Sequence, residues 1–599
     1  MYPITYINIK LLIVFNYSPV TDKTQLVTDE KEPIQETTYV REQICGYDGL
    51  KFIIVSSILF AIAITVGMVF SIIFGPPQIQ PYGAVSSDAS ICSQQGADIL
   101  QGGGSAVDAG IGTMLCLGVV HFHASGLGGG GFMIIGNPKE QKKEAINFRE
   151  MSPDSLSPEM FTGSFVEGGM SVGVPGEIAG MRAAWKKYGR TPWQDLFTES
   201  INLAKYGFLV TEALAEAIQK VDLSKLSRNL RELISRDVGR VNATQLLYRP
   251  DYANLLIKLS KVEEPSLSVV GGEIVELITD DSGIMTLADL VNYTTDDLEV
   301  YSMTYQDQEV YSTGAPSNGP MALAILNIME GYNYTTVNAS DPLFYHRFVE
   351  ALKLSEAYAT GLGDPTFTPG IGNFTIKMLG NDTTKKLRKK INDTSTLDLK
   401  QYFPGQIHTP ASTYGGSQVV AIGPDGTMVS ISSTLNSPFG AKLMTTSGII
   451  LNDAMNSFDW EGKSDYKPSA ANLLGPSKRP QADLAPLLSW NVSNFCTRRF
   501  GIGGVSGISN RKVGGRSAAG VAHAGSLEVT DGVQHYIGYQ AQTDITNETI
   551  EAFGKMYDSI DTATRGISVV HGVMKEKDQL SARADPRQLG AKAVKFGRP

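Results

Sequence analysis

The fold of this chain is decided by the stretch from Tyr414 to Phe458, which reads YGGSQVVAIGPDGTMVSISSTLNSPFGAKLMTTSGIILNDAMNSF. Two runs of β-forming residues, Ser417 to Ile422 and Met428 to Ser432, flank the sequence Gly-Pro-Asp-Gly at positions 423–426. Proline presets φ and glycine accepts positive φ, so this sequence favours a tight turn. The stretch therefore predicts a β-hairpin.

A small, polar segment follows the hairpin, from Ser433 to Gly440, and reads STLNSPFG. Hydroxyl and amide groups placed just after a buried strand point into a pocket, where polar groups orient a small ligand. We therefore expect this segment to line a ligand site.

These residues resemble the start of the small subunit of the gamma-glutamyltransferases, also called glutathione hydrolases. That family's signature runs Thr-x-His-x-Ser-Val-Val, Ser-Thr-x-Asn, Phe-Gly and Ser-Gly-Ile. Its first threonine becomes N-terminal by self-cleavage and acts as the nucleophile, with its own α-amine as the base. The resemblance implies an α/β (α+β) protein with the N-terminal-nucleophile hydrolase fold. In that fold, a four-layer αββα sandwich, two central β-sheets lie between two helical layers.

The nucleophile motif departs from the family pattern. Counting back from Val419-Val420, the nucleophile position falls on Tyr414 and the histidine position on Gly416. Three hydroxyl residues, Thr413, Ser412 and Thr409, lie one, two and five residues earlier, and Thr413 is the candidate nucleophile. It requires a β-bulge, because a slip of one residue turns a side chain to the other face of a strand.

The resemblance also implies substrate-binding residues. Ile146-Asn147-Phe148-Arg149-Glu150 matches the family's Ile-Asn-x-Arg-Glu, whose arginine binds the α-carboxylate of the γ-glutamyl group. Without the resemblance, Arg149 reads as a solvated strand end with a surface ion pair. Thr434 and Asn436 match residues that orient the nucleophile and bind the glutamate moiety. The family's oxyanion-hole glycine pair maps to Gly504 and Val505, and a backbone N–H serves from either residue type.

Other substrate residues of the family are changed. In the family's Asn-x-Glu-Met-Asp-Asp-Phe, the Glu and the second Asp hold the substrate ammonium; Ala454 and Ser457 stand there. A charge-assisted contact of this kind contributes about 1.5–3 kcal/mol. The two carboxylate-binding serines become Ala482 and Asp483, and a negative Asp483 would repel a carboxylate. These changes leave two hypotheses open: an enzyme acting on glutathione or other γ-glutamyl peptides, or an inactive relative that binds a protein partner.

The N-terminal part predicts a membrane anchor. The segment from Phe52 to Phe74 is 23 residues long and carries no charge, which exceeds the roughly 20 residues that a spanning helix needs. Arg41 and Lys51 precede it, and the next Lys or Arg is Lys139, so the rest of the chain is expected on the outside. The predicted organisation is a cytoplasmic tail (1–51), a signal-anchor helix (52–74), and large-subunit-like (75–413) and small-subunit-like (414–599) regions. The Gly-Ser-Gln-Val run at 416–419, the extra residues in the Gly-Pro-Asp turn at 423–425 and the long tail resemble a divergent, membrane-anchored branch of the family.

Glycosylation sequons agree with this single-pass type II topology, with the ectodomain extracellular or lumenal. Nine follow the helix and are expected in surface loops, at Asn242, Asn292, Asn333, Asn338, Asn373, Asn381, Asn392, Asn491 and Asn547. An oxidising compartment also allows disulfides. The family resemblance implies that Cys92 pairs with Cys116.

Several function classes are disfavoured by composition and spacing. The net charge of −10 argues against nucleic acid as a partner. The glycine run at 126–131 lacks the Gly-Lys-Ser/Thr of a phosphate loop and is expected to pack a helix closely against a sheet. His121 and His123 lack a neighbouring carboxylate or cysteine cluster, so no metal site is predicted, and no organic cofactor is implied.

Overall fold

A computed structural model describes residues 49–74, 81–236, 239–332, 334, 341–397, 399–402, 416–463, 467–493, 498–505, 569–576, 579–584 and 591–597. The chain forms two compact units, Met1–Pro77 and Gln78–Pro599. In the first unit, helix α1 (Gly49–Phe74) is long and apolar enough to cross a membrane, with a mean hydropathy of 2.6 over Lys51–Phe70. It is the one such helix within the described residues.

The strands of the second unit form two large antiparallel sheets and two small ribbons. In chain order they are β1 (Pro81–Ser87), β2 (Gly130–Asn137), β3 (Lys142–Asn147), β4 (Phe208–Leu209), β5 (Ser235–Arg236), β6 (Gly239–Arg240), β7 (Leu246–Leu247), β8 (Asp296–Leu298), β9 (Val300–Tyr305), β10 (Gln308–Thr313), β11 (Ser417–Ile422), β12 (Met428–Thr434), β13 (Leu484–Trp490), β14 (Arg499–Val505), β15 (Val569–Glu576), β16 (Gln579–Arg583) and β17 (Lys592–Gly597).

The larger sheet has the strand order β17-β1-β11-β12-β2-β3-β8, and the other has β16-β15-β14-β13-β10-β9. The predicted hairpin is confirmed: β11 pairs with β12, with Ile422 opposite Met428. Its second strand runs two residues further than expected, to Thr434. The turn is closed by hydrogen bonds from Gly423 N to Thr427 O (2.8 Å) and from Gly426 N to Gly423 O (3.0 Å), and Gly426 has a φ of +87°.

Helices cover the outer faces of the two sheets. They are α2 (Ser90–Gln101), α3 (Ala106–Val120), α4 (Glu177–Tyr188), α5 (Thr198–Tyr206), α6 (Glu212–Lys220), α7 (Arg228–Ile234), α8 (Pro250–Lys261), α9 (Gly271–Asp280), α10 (Leu287–Asn292), α11 (Gly319–Glu330), α12 (Pro342–Ala359), α13 (Ile371–Leu379), α14 (Asn381–Arg388) and α15 (Leu399–Tyr402).

Alternation along the strands divides the core into three apolar layers. In β11, Val419 and Ala421 face the cluster that contains α3, whereas Val420 and Ile422 face the second sheet. The layer between the sheets includes Ile134, Leu488, Trp490 and Val573, and a third layer packs α11 and α12 on the six-stranded sheet. The four-layer αββα arrangement predicted for the N-terminal-nucleophile hydrolase fold is therefore present.

Local sequence signals predict the start of one helix correctly but do not predict a break in another. The position of Ser105, at the start of the segment Ser105-Ala106-Val107-Asp108, predicts a helix N-cap, and Ser105 caps α3 in a capping box with Asp108. The 3–4 spacing of apolar residues between Leu214 and Leu233 predicts one helix, but the structure has α6, a 3-10 turn at Leu223–Lys225, and α7. Asp222 and Ser227 separate these pieces, and the Asp222 side chain caps the 3-10 turn. Polar residues that satisfy a helix end thus interrupt an otherwise continuous apolar face.

The glycine run packs closely against a helix, as expected, and also against strand and loop backbone. A Cβ on Gly118, in α3, would lie 3.3 Å from the Cα of Gly126. A Cβ on Gly131 would lie 1.9 Å from the carbonyl oxygen of Ser432, on the neighbouring strand β12. A Cβ on Gly128 would lie equally close to the carbonyl oxygen of Ile450. The run therefore brings the beginning of β2 into tight contact with the segment that carries Ser433 and Thr434.

Replacing Gly131 by valine is expected to lower the free energy of unfolding by about 1–3 kcal/mol, because the new side chain meets fixed backbone. Gly272 in α9 has open space around its Cβ position, so Gly272→Ala is the matched control and should be neutral or slightly stabilising. Denaturant unfolding of both variants measures the difference. Equal stability of the two would show that β12 moves to accept a side chain.

Candidate functional site

The polar end of β12 forms one wall of the candidate site. Ser433 and Thr434 end the strand, and Asn436 follows with a left-handed φ of +77°. The Asn436 backbone N donates to Thr434 Oγ1 (2.8 Å). Asparagine tolerates this backbone conformation better than most residues, and here it turns the amide side chain of Asn436 back across the strand end.

Arg149 lies beside this wall, two residues after β3, and is completely buried. Its Nη1 donates to Glu150 Oε2 (2.7 Å), and its Nη2 donates to Ser457 Oγ (3.1 Å) and to the Gln481 carbonyl oxygen (3.4 Å). Tyr293 supports the position by donating to the Arg149 carbonyl oxygen (2.8 Å). Arg149 is therefore an interior cation with several partners, and the alternative of a solvated strand end is wrong.

Ser457 links Arg149 to Asn436. Its hydroxyl accepts from Arg149 and donates to Asn436 Oδ1 (2.6 Å), while Asn436 Nδ2 donates to the Asp453 carbonyl oxygen (3.2 Å). Three positions far apart in the chain thus form one hydrogen-bonded row. In the sequence, Ser457 stands out only because it replaces a carboxylate of the family motif. That replacement is the signal from which its place in the site could have been predicted.

The segment that carries Ser457 is a 3-10 turn, Ala454–Ser457, and not a regular strand. Asn452 clamps its beginning: Oδ1 accepts from the backbone N of Gly173 and of Ala454, both at 2.9 Å. Asp453 points away from Arg149 and accepts from Ser437 N (2.8 Å) and Ser437 Oγ (2.5 Å). Burial raises the pKa of Asp453.

Two further buried carboxyl groups border the site. Burial raises the pKa of Glu150 in spite of its contact with Arg149. Burial raises the pKa of Glu177 to about 8, so this group is mostly protonated at neutral pH. Ser433 Oγ contacts Glu177 Oε2. The Arg149 guanidinium is thus matched by the adjacent carboxyl of Glu150.

The remaining predicted substrate residues lie on the second sheet. Asp483 precedes β13, and its Oδ1 accepts from Asn318 Nδ2 (2.6 Å). Gly504 pairs with Ala485 in the ladder between β13 and β14, and the backbone of Val505 pairs with Leu484. Because Arg149 reaches the carbonyl of Gln481, the segment before β13 borders the Arg149 row.

Thr413 and Tyr414 lie outside the described residues, as does the proposed boundary between large and small regions. Gly416, which stands at the family's histidine position, is described and buried. A Cβ on Gly416 would lie 2.4 Å from the Ser433 carbonyl oxygen. The backbone here is therefore too close to β12 for a histidine, and the loss of that residue matches the local packing.

Sequence reasoning missed a buried contact between an aspartate and a histidine at the beginning of β11. Asp88 Oδ2 accepts from Gln418 N (2.7 Å), and Asp88 Oδ1 lies 3.2 Å from His571 Nε2. Burial alone would raise the pKa of Asp88, but His571, together with His121 and the backbone donor of Gln418, holds it below its usual value. No local pattern predicts this contact, because its members come from β15, β11 and the end of β1.

Asp88→Asn is expected to lower the free energy of unfolding by about 1–3 kcal/mol at neutral pH. A carboxyl whose folded pKa is lowered stabilises the protein above its unfolded pKa of about 3.9, and this contribution is lost as the pH falls through the folded value. The difference in free energy of unfolding between variant and wild type should therefore shrink below about pH 4. Denaturant unfolding over a pH series, with exposed Asp98→Asn as the control, tests this. A gap that persists in acid would show that the charge of Asp88 is unimportant.

The predicted cysteine pair and sequons have clear positions. Cys92 and Cys116 are joined by a disulfide between α2 and α3. Five sequon asparagines are exposed and Asn491 is half-buried, the exposed ones being Asn242, Asn292, Asn373, Asn381 and Asn392. The expectation of loops is wrong for Asn292, Asn373 and Asn381, which lie in α10, α13 and α14. The sequons at Asn333, Asn338 and Asn547 lie outside the described residues. Within the described residues no group of three or more His, Cys, Asp or Glu side chains could hold a metal ion.

Comparison with known proteins agrees with this architecture. The gamma-glutamyltranspeptidase family model matches residues 92–595. Human glutathione hydrolase 7 is 31% identical over 602 residues, covering 95% of this chain and 88% of the relative. Glutathione hydrolase proenzyme 2 of Schizosaccharomyces pombe is 34% identical over 439 residues, covering 71% of each chain. Among solved structures, cephalosporin acylase from Bacillus halodurans superposes with a TM-score of 0.71 at 19% identity, covering 86% of this chain and 96% of the other.

Proposed function

Because the chain belongs to the gamma-glutamyltranspeptidase family, we propose that it is a membrane-anchored enzyme that cleaves or transfers the γ-glutamyl group of glutathione and related peptides. The observation that carries the proposal is the buried row of Arg149, Ser457 and Asn436 at the end of β12. Buried guanidinium and amide groups are suited to binding a small polar acyl group. Helix α1 supplies the anchor.

In the proposed reaction, the hydroxyl oxygen of Thr413 attacks the γ-carbonyl carbon of the donor. The amide C–N bond breaks, the leaving amine takes the hydroxyl proton, and a γ-glutamyl ester forms on the threonine. Water or the amine of an acceptor peptide then attacks the ester and releases glutamate or a new γ-glutamyl peptide. The Thr413 hydroxyl is restored by the proton that the attacking group gives up. Arg149 would bind the donor's α-carboxylate, and Asn436 would orient the polar groups of the donor.

A second candidate function is a catalytically lapsed relative that binds a protein partner through its ectodomain. It is favoured by Ala454 and Ser457, which leave the family's ammonium positions without carboxylates. The close packing of Gly416 on β12 favours it further, because the histidine of the nucleophile motif has no room there.

Self-processing separates the two candidates. The full chain, produced in eukaryotic cells and purified in detergent, is run on a denaturing gel, and any small fragment is sequenced from its N-terminus. The enzyme proposal expects two chains with the smaller beginning at Thr413, loss of cleavage in Thr413→Ala, and unchanged cleavage in the control Ser412→Ala. One uncut chain without glutathione hydrolysis would favour the lapsed relative.

A further inference from the structure

An exposed apolar patch lies on the ribbon formed by β4 and β7. Its members are Tyr206, Leu209, Leu246 and Tyr248, whose exposed fractions are 65%, 62%, 41% and 43%. Leu209 and Leu246 are directly opposite each other in the ribbon, while Phe208 and Leu247 are buried on its other face. The ring of Tyr248 lies across Gly207, where a Cβ would be 2.8 Å from its Cε1. Contiguous apolar surface of this kind is normally covered by something.

The sequon Asn242-Ala243-Thr244 forms the edge of the same ribbon. Gln245 N donates to the Asn242 carbonyl oxygen (3.3 Å), and Thr244 has a φ of +64°, so the sequon is an exposed turn. The turn is fixed to the patch strand, because Thr244 N donates to Val210 O and Val210 N donates to Gln245 O, both at 2.9 Å. Asn242 therefore begins a turn that is hydrogen-bonded to the residue after Leu209 and that lies a few residues before Leu246.

The Asn242 side chain is positioned for modification. Gln219 Nε2 donates to its Oδ1 (3.0 Å), and its backbone N donates to Gln245 Oε1 (3.0 Å). Its Nδ2, the atom to which a glycan attaches, makes no hydrogen bond to any residue that the structure describes. The amide is thus oriented by its oxygen while its nitrogen faces solvent.

From this arrangement we infer that a glycan on Asn242 covers the β4–β7 patch, an inference that rests on the outward placement of the second unit in the proposed function. A glycan is bulky and solubilising, and the C–H faces of its sugar rings pack on exposed aromatic rings such as Tyr206 and Tyr248. It also obstructs a protein partner at the edge of the patch. The proposed occupant is therefore carbohydrate of this chain, and a second copy or the bilayer is an outcome that the test below distinguishes.

A second exposed apolar group also lies beside a glycosylation sequon. Val269, Leu287 and Val291 are exposed by 42%, 48% and 61%, and α10 is tied to the turn at Leu267–Val270 by Ser266 Oγ, which donates to the Leu290 carbonyl oxygen (3.3 Å). The exposed sequon Asn292 directly follows Val291. Asn392, by contrast, is followed by the exposed polar residues Asp393 and Thr394, and it serves as the control sequon.

The test uses the full chain from eukaryotic cells in detergent. Glycopeptide mass spectrometry measures occupancy of Asn242 and Asn392, and hydroxyl-radical footprinting measures oxidation of the patch side chains. We expect both sequons to be occupied. Asn242→Gln should raise oxidation of Tyr206, Leu209 and Tyr248 about twofold or more, since a covering group of this size shields apolar area. Asn392→Gln should leave that oxidation unchanged.

A glycan on Asn392 with none on Asn242 would overturn the inference. So would a glycosylated Asn242 whose replacement by Gln leaves the patch equally protected from oxidation, which is the result expected if a second copy or the bilayer covers the patch. Two empty sequons would also overturn it and would count against the proposed topology. If Asn242→Gln does not fold, the double variant Leu209→Ser with Leu246→Ser replaces it. Native glycosidase release should then become faster at Asn242 and stay unchanged at Asn392, and equal rates at Asn242 in variant and wild type would reject the inference.

Discussion

Replacing Arg149 by methionine is expected to lower the free energy of unfolding by about 3–5 kcal/mol near neutral pH. The Arg149 and Glu150 side chains are both completely buried and 2.7 Å apart. Removing the guanidinium leaves a carboxylate in the protein interior without its cation and leaves Ser457 without its donor. An unmatched buried charge costs much more than the net contribution of the pair.

The loss of Arg149 should depend on pH in a defined direction. Burial already raises the pKa of Glu150 in the presence of Arg149, and removal of the cation raises it further. A carboxyl whose folded pKa lies above its unfolded value is least destabilising in acid, where both states are protonated. The destabilisation caused by this carboxyl grows as the pH rises from its unfolded pKa of about 4.3 to its folded pKa. The deficit of Arg149→Met should therefore be smallest near pH 4 and should grow as the pH rises.

Denaturant unfolding of the full chain at several pH values measures this deficit. The matched control is the double variant Arg149→Met with Glu150→Met, which replaces the pair by apolar side chains of similar length. It should recover most of the stability and lose the pH dependence. A deficit that is constant with pH, or a double variant as unstable as the single one, would mean that packing of the Arg149 side chain matters and its charge does not.

The hairpin at β11 and β12 was predictable because its information is local. Proline and glycine at 423–426 restrict the turn, and the alternation of the flanking residues sets the register. The four layers followed from the order of family motifs along the chain, and the superposition on a solved acylase agrees with them. The broken helix between Leu214 and Leu233 was missed because apolar spacing alone does not show where polar caps interrupt a helix.

The candidate site was predictable only in part, because its contacts are long-range. Resemblance identified Arg149 and Asn436, but the residue that joins them, Ser457, is 308 positions from Arg149. The left-handed backbone at Asn436 and the packing of Gly416 on β12 depend on the folded sheet. The contact between Asp88 and His571 also requires strands from both ends of the chain to meet, so no local motif predicts it.

Replacing Ser457 by aspartate is expected to raise the affinity for glutathione and for L-glutamate by about 10- to 100-fold, the worth of a charge-assisted contact of about 1.5–3 kcal/mol. The position lies between Arg149 Nη2 (3.1 Å) and Asn436 Oδ1 (2.6 Å). A carboxylate there accepts from Arg149 and can accept from a ligand ammonium. The Asn436 amide would rotate so that its Nδ2, and not its oxygen, faces the new carboxylate, at the expense of the hydrogen bond to the Asp453 carbonyl.

Titration calorimetry tests this change without requiring catalysis, so the result is informative for an active enzyme and for a lapsed one. Glutarate is the control ligand, because it has both carboxylates of glutamate and no ammonium. Ser457→Asn is the control variant, because it has the shape of aspartate without the charge. The gain should appear for glutamate with Ser457→Asp and be absent for glutarate and for Ser457→Asn. An equal gain with glutarate or with asparagine would show that Ser457 does not stand at the ammonium position, and the orientation proposed for the γ-glutamyl group would then have to be reversed.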